Sequence, residues 1–415
     1  MIKRVAFIGI MVAGVFINTS AQNNISSPYT RYGYGSIVEG GYGQSVQMGG
    51  LMAGLRSAYF TNPSNPASYT AIDSLNFRIE AGASCSVEKY SDATKSQRNM
   101  SGNLEYLAMQ FPIKRWMAVS VGIRPYSLVG YKNSRHDVES TDLTQDTLRS
   151  NYTYEGEGGI SQLYLGLGFR PFKNFSIGGN LMYHFGTIEH NSATTFDVSY
   201  IYSTIQTQKI HVRDFCANVG LQGSFKLSKE QFVTLGATYQ FKSELKSEAS
   251  KTIITSDTTM LNFDNNFDTP SSFGMGFVFH FNKRVLAGFD YKRTAWSDVR
   301  FFGEKPFEDV NRFAWGVQYQ PDKNARRYYQ RMYYRCGLNV SKSYFKVNGE
   351  GVNKMAVDAG FGFPLKKGLN PTVINVGLEY GKTGSSDNGL VKEQYLKGTI
   401  NVTVNERWFA KRKLE

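Results

Sequence analysis

The feature that most constrains this chain is a repeated alternation of apolar and polar residues between residues 75 and 409. In the first segment, residues 75–87, Arg78 and Glu80 share one face with small and polar side chains. The other face is apolar and holds Leu75, Phe77, Ile79, Ala81, Ala83, Cys85 and Val87. Successive side chains of a β-strand point to opposite faces, so a period of two predicts a long strand.

Thirteen further segments repeat this pattern, which predicts an all-β chain of about fourteen strands. They lie at 102–111, 116–127, 160–170, 174–187, 212–226, 231–243, 271–281, 284–293, 311–320, 331–345, 354–363, 371–381 and 394–409. Short connections alternate with longer ones such as 127–159, 187–211 and 243–270. This asymmetry and an even strand number are typical of bacterial outer-membrane barrels, and they predict that both termini lie in the periplasm.

A soluble sandwich also alternates, but two features favour a transmembrane antiparallel β-barrel at residues 74–409. The segments are long enough for tilted strands to cross a bilayer. Aromatic residues such as Trp116, Phe172 and Phe281 also cluster at the segment ends, as interfacial girdles require. In a barrel the apolar row faces lipid and the charged row faces the lumen. Glu105 and Arg213 break this parity, and we expect both to lie at the outer ends of their strands.

Five charged residues are the candidates for lining the lumen. They are Arg78, Glu80, Arg124, Asp290 and Lys292. Two interpretations remain open for such residues: they bind an anionic ligand, or they pair with one another and hold the barrel together.

The two ends of the chain differ from the alternating region. Residues 1–21 have the basic start, apolar run and small-residue cleavage site of a signal peptide, which predicts export. Residues 410–415 form a basic tail that we expect to be periplasmic. Glycine makes up 41 of 415 residues and aromatics 14%, a composition that argues against long disorder.

Residues 22–73 do not alternate and contain two Asn-Pro steps close together. Proline cannot donate to a strand ladder and restricts the residue before it, so this segment must follow a tight, irregular path. We expect it to fold into the lumen as a hatch or plug. Asn65, Pro66 and Ala67 are the candidate gating motif, although the tripeptide alone is only a turn signal.

At these residues the sequence resembles the FadL-like superfamily of outer-membrane barrels. The resemblance rests on the glycine-rich stretch 48–55, on Asn65-Pro66-Ala67, and on the fourteen strands that follow. It implies an N-terminal hatch and passive transport of small hydrophobic molecules, with lateral escape beside a kinked strand. The opening residues 26–35 and the ending 405–411 resemble a Bacteroidota branch whose members include accessory barrels of secretion or assembly machines.

Catalysis, metals and cofactors have little support in the sequence. The five histidines include no pair at the spacing of a metal-binding helix, so we expect no enzyme activity, no metal and no cofactor. An outer-membrane Ser/His enzyme is the alternative, without supporting geometry. Cys85, Cys216 and Cys336 are an odd set whose disulfide state the sequence does not determine.

The net charge of +13 is concentrated at the short connections, for example at Lys114-Arg115 and Lys283-Arg284. Export and the lack of a nucleic-acid motif exclude DNA or RNA as the partner. The basic residues either contact lipid headgroups or dock an acidic periplasmic protein. We therefore expect a Gram-negative outer-membrane barrel, surrounded by lipid and lipopolysaccharide, that transports a hydrophobic ligand. The alternative is a non-transporting accessory subunit that binds other outer-membrane or periplasmic proteins.

Overall fold

The computed structural model is a closed antiparallel barrel of fourteen strands. It describes residues 25–39, 41–92, 95–140, 147–198, 201–263, 267–282, 284–365, 371–386 and 390–407. The signal peptide and the basic tail expected at the two ends lie outside these residues. The predicted all-β class and the number of strands are confirmed.

The barrel strands are numbered β1 to β14 in chain order, and each pairs with the next. They are β1 Asn76–Ser91, β2 Ser96–Lys114, β3 Met117–Ser140, β4 Thr147–Phe172, β5 Phe175–Phe196, β6 Thr204–Lys226, β7 Gln231–Gln240, β8 Ser272–Phe281, β9 Val285–Thr294, β10 Val310–Tyr319, β11 Tyr333–Val347, β12 Glu350–Pro364, β13 Val373–Thr383 and β14 Lys392–Arg407. The pairing of β14 with β1, from Lys392–Ser91 to Arg407–Asn76, closes the barrel.

Five short strands and five short 3₁₀ helices complete the described secondary structure. The strands are Ser36–Ile37, Ser243–Leu245, Ser247–Ile254, Thr258–Asn262 and Phe267–Thr269. The helices are Pro28–Arg31, Val46–Met48, Pro66–Ala71, Trp296–Asp298 and Tyr328–Gln330. No helix in the described part of the chain is long and apolar enough to cross a lipid bilayer.

The two faces of the wall are the reverse of those in a soluble protein. Large apolar side chains on the outer face are open, as at Leu165, which is 53% exposed, and Leu378, which is 57% exposed. Polar side chains on the inner face, such as Arg78, Asn180 and Asp290, are buried. Because the apolar row is the exposed one, the surface is matched to lipid.

Two of the predicted long connections are mostly strand, which corrects the sequence interpretation. Residues 127–159 and 187–211 continue the β3–β4 and β5–β6 hairpins outward, with pairing as far as Ser140–Thr147 and Thr194–Thr204. Residues 243–270, expected to be a loop, add Ser247–Ile254 to the edge of β6. These outer parts lack a continuous apolar row, so their pairing left no sign in the alternation. We call this end of the barrel the hairpin end and the opposite one the short-turn end.

The hairpin end has a hydrophobic core of its own. Trp296 stacks on Tyr344 with ring centroids 4.2 Å apart, and Tyr34 from the N-terminal segment packs against Trp296. Ile160, Ile188, Ile210 and Val212 from β4, β5 and β6 belong to the same buried cluster. The outer parts of β3 to β6 therefore pack against the connection between β9 and β10 and against β11.

The N-terminal segment, residues 25–72, runs the length of the barrel interior. At the hairpin end, the Ser27 N–H donates to the Gly130 carbonyl at 2.9 Å, and Ser36–Ile37 pairs with β3. At the short-turn end, Thr70 Oγ1 lies 3.0 Å from Ser176 Oγ, just before β1 begins. The first described residue therefore lies at the hairpin end, while the two chain termini, which were expected in the periplasm, lie outside the described residues. An even number of strands requires only that β1 begins and β14 ends on the same side of the membrane. The N-terminal segment runs through the barrel interior to the opposite side.

Candidate functional site in the barrel lumen

A ring of inward-facing glycines marks the level at which the N-terminal segment comes closest to the wall. A Cβ built on Gly337 would lie 2.0 Å from the Gly49 nitrogen, and one on Gly178 would lie 2.4 Å from the Pro66 carbonyl carbon. Neither position has space for a side chain. The other members of this glycine ring are Gly166, Gly168, Gly220, Gly236, Gly316, Gly360 and Gly377. The segment therefore lies in very close contact with the wall at these positions, through its backbone at residues such as Gly49 and Pro66 and through the side chains of Gln47, Asn65 and Tyr69 at others.

Charged side chains of the wall bind the backbone of the segment beside this ring. The Asp290 carboxylate accepts hydrogen bonds from the N–H groups of Met52 and Ala53, the second at 2.8 Å. Arg312 Nη2 donates to the Gly49 carbonyl at 2.6 Å. Such bonds satisfy buried backbone groups that have no ladder partner.

The candidate gating motif packs against the inner face of β5 and β6. Asn65 Oδ1 accepts a hydrogen bond from the Ala67 N–H at 3.2 Å and so caps the helix Pro66–Ala71. Asn65 Nδ2 donates to the Ala53 carbonyl at 2.7 Å and to the Leu221 carbonyl of β6 at 3.2 Å. Asn65 and Ala67 are fully buried. The motif thus joins two parts of the segment to each other and to the wall.

Arg78 and Glu80 form a buried ion pair, with Nε and Oε1 3.8 Å apart. Arg78 Nε donates to Asn405 Oδ1 at 2.8 Å, and a second guanidinium nitrogen donates to the Ala58 carbonyl. Glu80 Oε1 accepts from the Thr61 N–H at 2.8 Å. Both side chains are 0% exposed, so this arrangement favours the structural interpretation over an anion site.

The three other predicted lumen residues lie in a different part of the interior. Arg124 and Lys292 line a cavity of about 350 Å³, and together with Asp290 they also line a second cavity of about 70 Å³. Lys292 Nζ is 3.4 Å from Glu39 Oε2 of the N-terminal segment, and Arg124 Nη2 is 3.4 Å from Gln162 Oε1. The structure therefore does not bring the five predicted residues together in one site.

The walls of the larger cavity are strongly charged. Lys397 Nζ bonds to Glu105 Oε1 at 2.7 Å on one side. The other charged residues that line it are Glu39, Glu88, Arg124, Lys292, Arg312, Lys342, Lys354, Glu379, Lys382 and Glu393. Pockets for small hydrophobic ligands are lined mainly by apolar and aromatic side chains. The cavity is therefore better suited to water or polar groups than to a hydrocarbon.

Glu105 faces this cavity, and not the outer end of its strand as the sequence suggested. The register of β1 and β2 shifts between Gly82 and Ala83, which turns both Glu105 and Tyr106 inward. Such a bulge reverses the side-chain parity of the strand beyond it. Arg213, the other exception, points outward and pairs with Glu248 at the hairpin end.

The wall also has a gap between β2 and β3. These strands pair only from Lys114–Met117 to Leu107–Ile123, although both continue well beyond Leu107 and Ile123. β3 bends at Pro125, where its register with β4 shifts. Within the described residues, the outer half of β2 pairs with β1 alone.

Histidine, cysteine and acidic side chains give no sign of a reaction centre in the described residues. The buried side chains of His184 and Cys216 are neighbours, with Nδ1 and Sγ 3.9 Å apart, and His280 stacks on Phe232. The three cysteines are free, and Cys85 and Cys336 are exposed. No group of three or more His, Cys, Asp or Glu in the described part of the chain is placed to hold a metal ion.

Sequence reasoning missed several residues that shape this site. Two of them are Arg312, which binds the Gly49 carbonyl, and Tyr69, whose hydroxyl donates to Asn180 Oδ1 at 2.8 Å. The glycine ring was missed as well. The sequence does contain a signal for this ring, because its glycines occupy the same alternate positions as the polar, inward-facing residues of their strands.

Comparisons with known proteins agree on the fold and give one family. A family model described as BamG matches residues 1–415. A search of curated proteins found no match. Because the family match covers the whole chain, it is the most specific of these comparisons.

The solved structures that resemble this barrel share little sequence with it. The toluene transporter TodX of P. putida has a TM-score of 0.58 at 14% identity, covering 90% of this chain and 100% of that chain. The toluene transporter TbuX of Ralstonia pickettii has a TM-score of 0.56 at 15% identity, covering 89% and 99%. A Pseudomonas aeruginosa FadL homologue has a TM-score of 0.56 at 11% identity, covering 90% and 99%. At such identities the likeness concerns the fold alone.

Proposed function

We propose, on the premise that this chain belongs to the BamG family, that it is a non-transporting accessory barrel of an outer-membrane protein assembly complex. The observation that carries the proposal is the filled lumen. The N-terminal segment contacts β4–β7 and β10–β13 through the glycine ring, and it is bonded to β9 and β10 by Asp290 and Arg312. Because the wall is bonded to the N-terminal segment at many points, we expect the barrel to be rigid.

The two ends of the interior support the same conclusion. At the hairpin end, Tyr29 and Tyr34 of the N-terminal segment pack into an aromatic core with Trp296 and Tyr344. In the middle, the remaining cavity is lined by charged side chains. A hydrophobic molecule that followed this route would have to displace a packed core and then pass desolvated charges, both of which are costly.

The outer surface offers what a subunit of a membrane complex needs. Its apolar belt is matched to lipid and lipopolysaccharide, which the proposal places around it in a Gram-negative outer membrane. The described short turns carry Lys114, Arg115, Lys226 and Lys229 among other basic residues, a surface that suits lipid headgroups or an acidic periplasmic protein.

Extraction in a mild detergent tests the proposal. We expect the chain to be recovered from native membranes with other barrel or periplasmic proteins at fixed stoichiometry, and to keep them through size-exclusion chromatography. A harsh detergent applied to the same membranes is the control that should separate them. Recovery of the chain alone, at its monomer mass, from the mild detergent would contradict an accessory role.

Passive transport of a small hydrophobic molecule is the second candidate, and the gap between β2 and β3 favours it. TodX and TbuX, which share the fold, are described as toluene transporters. Proteoliposomes separate the two functions. The accessory role predicts no uptake of toluene or a fatty acid by the intact chain, with a variant lacking residues 25–72 as the opened control. Uptake by the intact chain at a rate similar to that of the opened variant would favour transport.

A further inference from the structure

The gap between β2 and β3 has two unequal sides. The β3 side is covered by the N-terminal segment: Ser36–Ile37 pairs with it, and the Val38 N–H donates to the Tyr126 carbonyl at 2.9 Å. No described residue pairs with the β2 side beyond Leu107. Among the described residues, the outer half of β2 is therefore a strand edge without a ladder partner, next to the charged cavity.

The alternation of hydrogen bonds along β2 identifies the residues whose backbone N–H and C=O groups point into the gap. The Asp92 N–H donates to the Lys95 carbonyl where β1 turns into β2. In an antiparallel pair, hydrogen-bonded and non-hydrogen-bonded positions alternate, so Ser101 and Asn103 direct their backbone groups to β1. The intervening residues, Met100, Gly102 and Leu104, direct theirs into the gap.

The side chains along this edge alternate as well. Met100 and Leu104 face outward and are 67% and 51% exposed. Ser101, Asn103 and Glu105 line the cavity instead. The edge thus continues the lipid-facing row of Val87 and the other outward residues of β1, to which Met100 is paired.

An unpaired backbone edge is costly at this depth. An N–H or C=O left without a partner in hydrocarbon is strongly unfavourable, which is why membrane barrels are normally closed. A free edge is also the usual template for strand addition. A strand that filled it would have to place apolar side chains beside Met100 and Leu104, and polar ones beside Asn103 and Glu105.

We propose that the outer half of β2 is a docking edge for an extended segment of a partner protein, with the apolar–polar alternation of a transmembrane strand. The inference rests on the accessory role proposed above and names its contact surface. The free N–H and C=O groups of Met100, Gly102 and Leu104 bind the backbone of the partner strand. The register that results continues the barrel wall into the partner.

A second copy of this chain is a poorer occupant for this edge. Two copies inserted in the same orientation would bring β2 against β2 with both strands running in one direction. The wall requires an antiparallel neighbour here, because β3 runs opposite to β2. An acyl chain is also a poorer occupant, since it cannot bond to the backbone groups. The occupant that satisfies the edge is therefore a strand of a different protein.

The experiment uses the full chain in nanodiscs and a synthetic strand as the probe. The probe copies residues 394–404 of this chain, an alternating transmembrane sequence, and carries a photo-cross-linker at its centre. Adducts are located by mass spectrometry. We expect them to concentrate on residues 98–104, and an excess of unlabelled peptide should compete for them.

Gly102 supplies a matched pair of variants. Gly102→Pro removes the N–H that faces the gap but no bond to β1, and proline is tolerated at strand edges. Gly102→Ala keeps the N–H, and its Cβ would lie 3.7 Å from the nearest atom, the Ser84 carbonyl oxygen. We expect labelling of residues 98–104 to fall at least tenfold in Gly102→Pro and to persist in Gly102→Ala. Circular dichroism checks that both barrels are folded.

Three results would overturn the inference: no adducts at residues 98–104, adducts spread evenly around the barrel, or labelling unchanged in Gly102→Pro. Fatty-acid competition that removes the adducts would overturn it too, by assigning the edge to acyl chains. The proposed function fails separately. If the chain keeps stoichiometric partners in mild detergent but the peptide labels nothing, the accessory role stands and the docking edge on β2 is contradicted. If the peptide labels residues 98–104 but the chain purifies alone, the docking edge stands and the accessory role is contradicted.

Discussion

Single buried side chains hold the N-terminal segment to the wall, and Asp290 is the most informative of them. Its carboxylate receives two N–H groups of the segment, from Met52 and Ala53. The sequence placed Asp290 on the lumen face by its parity alone. It could not supply the partner, because the partner is the backbone of an irregular segment more than 200 residues earlier in the chain.

Replacing Asp290 with asparagine should loosen this attachment. The side chain of Asp290→Asn keeps one oxygen that can accept from both N–H groups, which converge on Oδ2, but it removes the negative charge that strengthens these bonds, which should cost about 1–3 kcal/mol. Trypsin cleavage at Arg56, within the segment, measures the effect, and we expect it to become at least several-fold faster. Glu230→Gln, at an exposed short turn, is the control and should cleave like the parent. Equal rates in all three proteins would show that Asp290 does not anchor the segment.

Among the elements, the strands of the wall were the most predictable part of the fold. An alternating row that faces lipid is written directly into the sequence, so all fourteen strands could be located within a few residues. Their outer extensions could not, because residues such as Lys132 and Arg135 have no apolar row to alternate with. The bulge that turns Glu105 inward was also hidden, since only the pairing with β1 reveals it.

The glycine ring gives a prediction that neighbouring residues of one strand can test. Gly178 faces the segment, whereas a Cβ on Gly179 would meet only the Asn218 carbonyl oxygen at 3.6 Å. Gly178→Ala should therefore destabilise the protein by about 1–3 kcal/mol through overpacking against Pro66, and Gly179→Ala should be nearly neutral. Urea unfolding in detergent measures both. A similar loss in the two variants would assign the effect to strand propensity instead of packing.

The connection between β9 and β10, residues 295–309, depends on one ion cluster outside the membrane. Asp268 Oδ1 bonds to Arg300 Nη2 at 2.8 Å, and Asp268 Oδ2 lies 3.1 Å from Lys242 Nζ. Burial alone would raise the pKa of Asp268, but hydrogen bonds from Arg300 and the charge of Lys242 outweigh it and lower that pKa. The ionised carboxylate therefore stabilises the folded connection above the ordinary aspartate pKa, near 3.9.

Acidification should release this connection. As the pH falls below about 4, Asp268 begins to bind a proton and the stabilisation is lost as the pH passes through its lowered folded pKa. Because Arg300 and Lys242 are 33% and 39% exposed, solvent screening limits the effect to about 1 kcal/mol. The protection factors of residues 295–309 in hydrogen exchange, which correct for the slower intrinsic exchange in acid, should fall in that range. Asp268→Asn should exchange faster at neutral pH and show no acid step, and a parent-like profile in that variant would contradict this account.

For the whole molecule, the path of the N-terminal segment decides the topology. A tag placed before Ile25 should emerge at the hairpin end, opposite to a tag added after Arg407, because Ser27 bonds to Gly130 there while Arg407 pairs with Asn76. Antibody labelling of intact cells should detect the first tag, and the second only after permeabilisation. Detection of both tags only after permeabilisation would place the segment differently.

The candidate site was less predictable than the barrel for one physical reason. Parity tells which face a residue occupies but not which of several polar neighbours it meets. Arg78 and Arg124 looked alike in the sequence, yet Arg78 is locked into the segment and Arg124 borders a cavity. Only the three-dimensional path of residues 25–72 separates the two roles.

That path has a mechanical consequence. Tyr29 and Tyr34 are embedded in the outer core, while Thr70 is bonded to the wall near the opposite mouth. The N-terminal segment is thus a continuous covalent link between two protein surfaces on opposite sides of the bilayer, and wall residues bind its backbone between them. We therefore expect a pulling force on one end of the segment to be transmitted to its other end while the barrel wall keeps its shape.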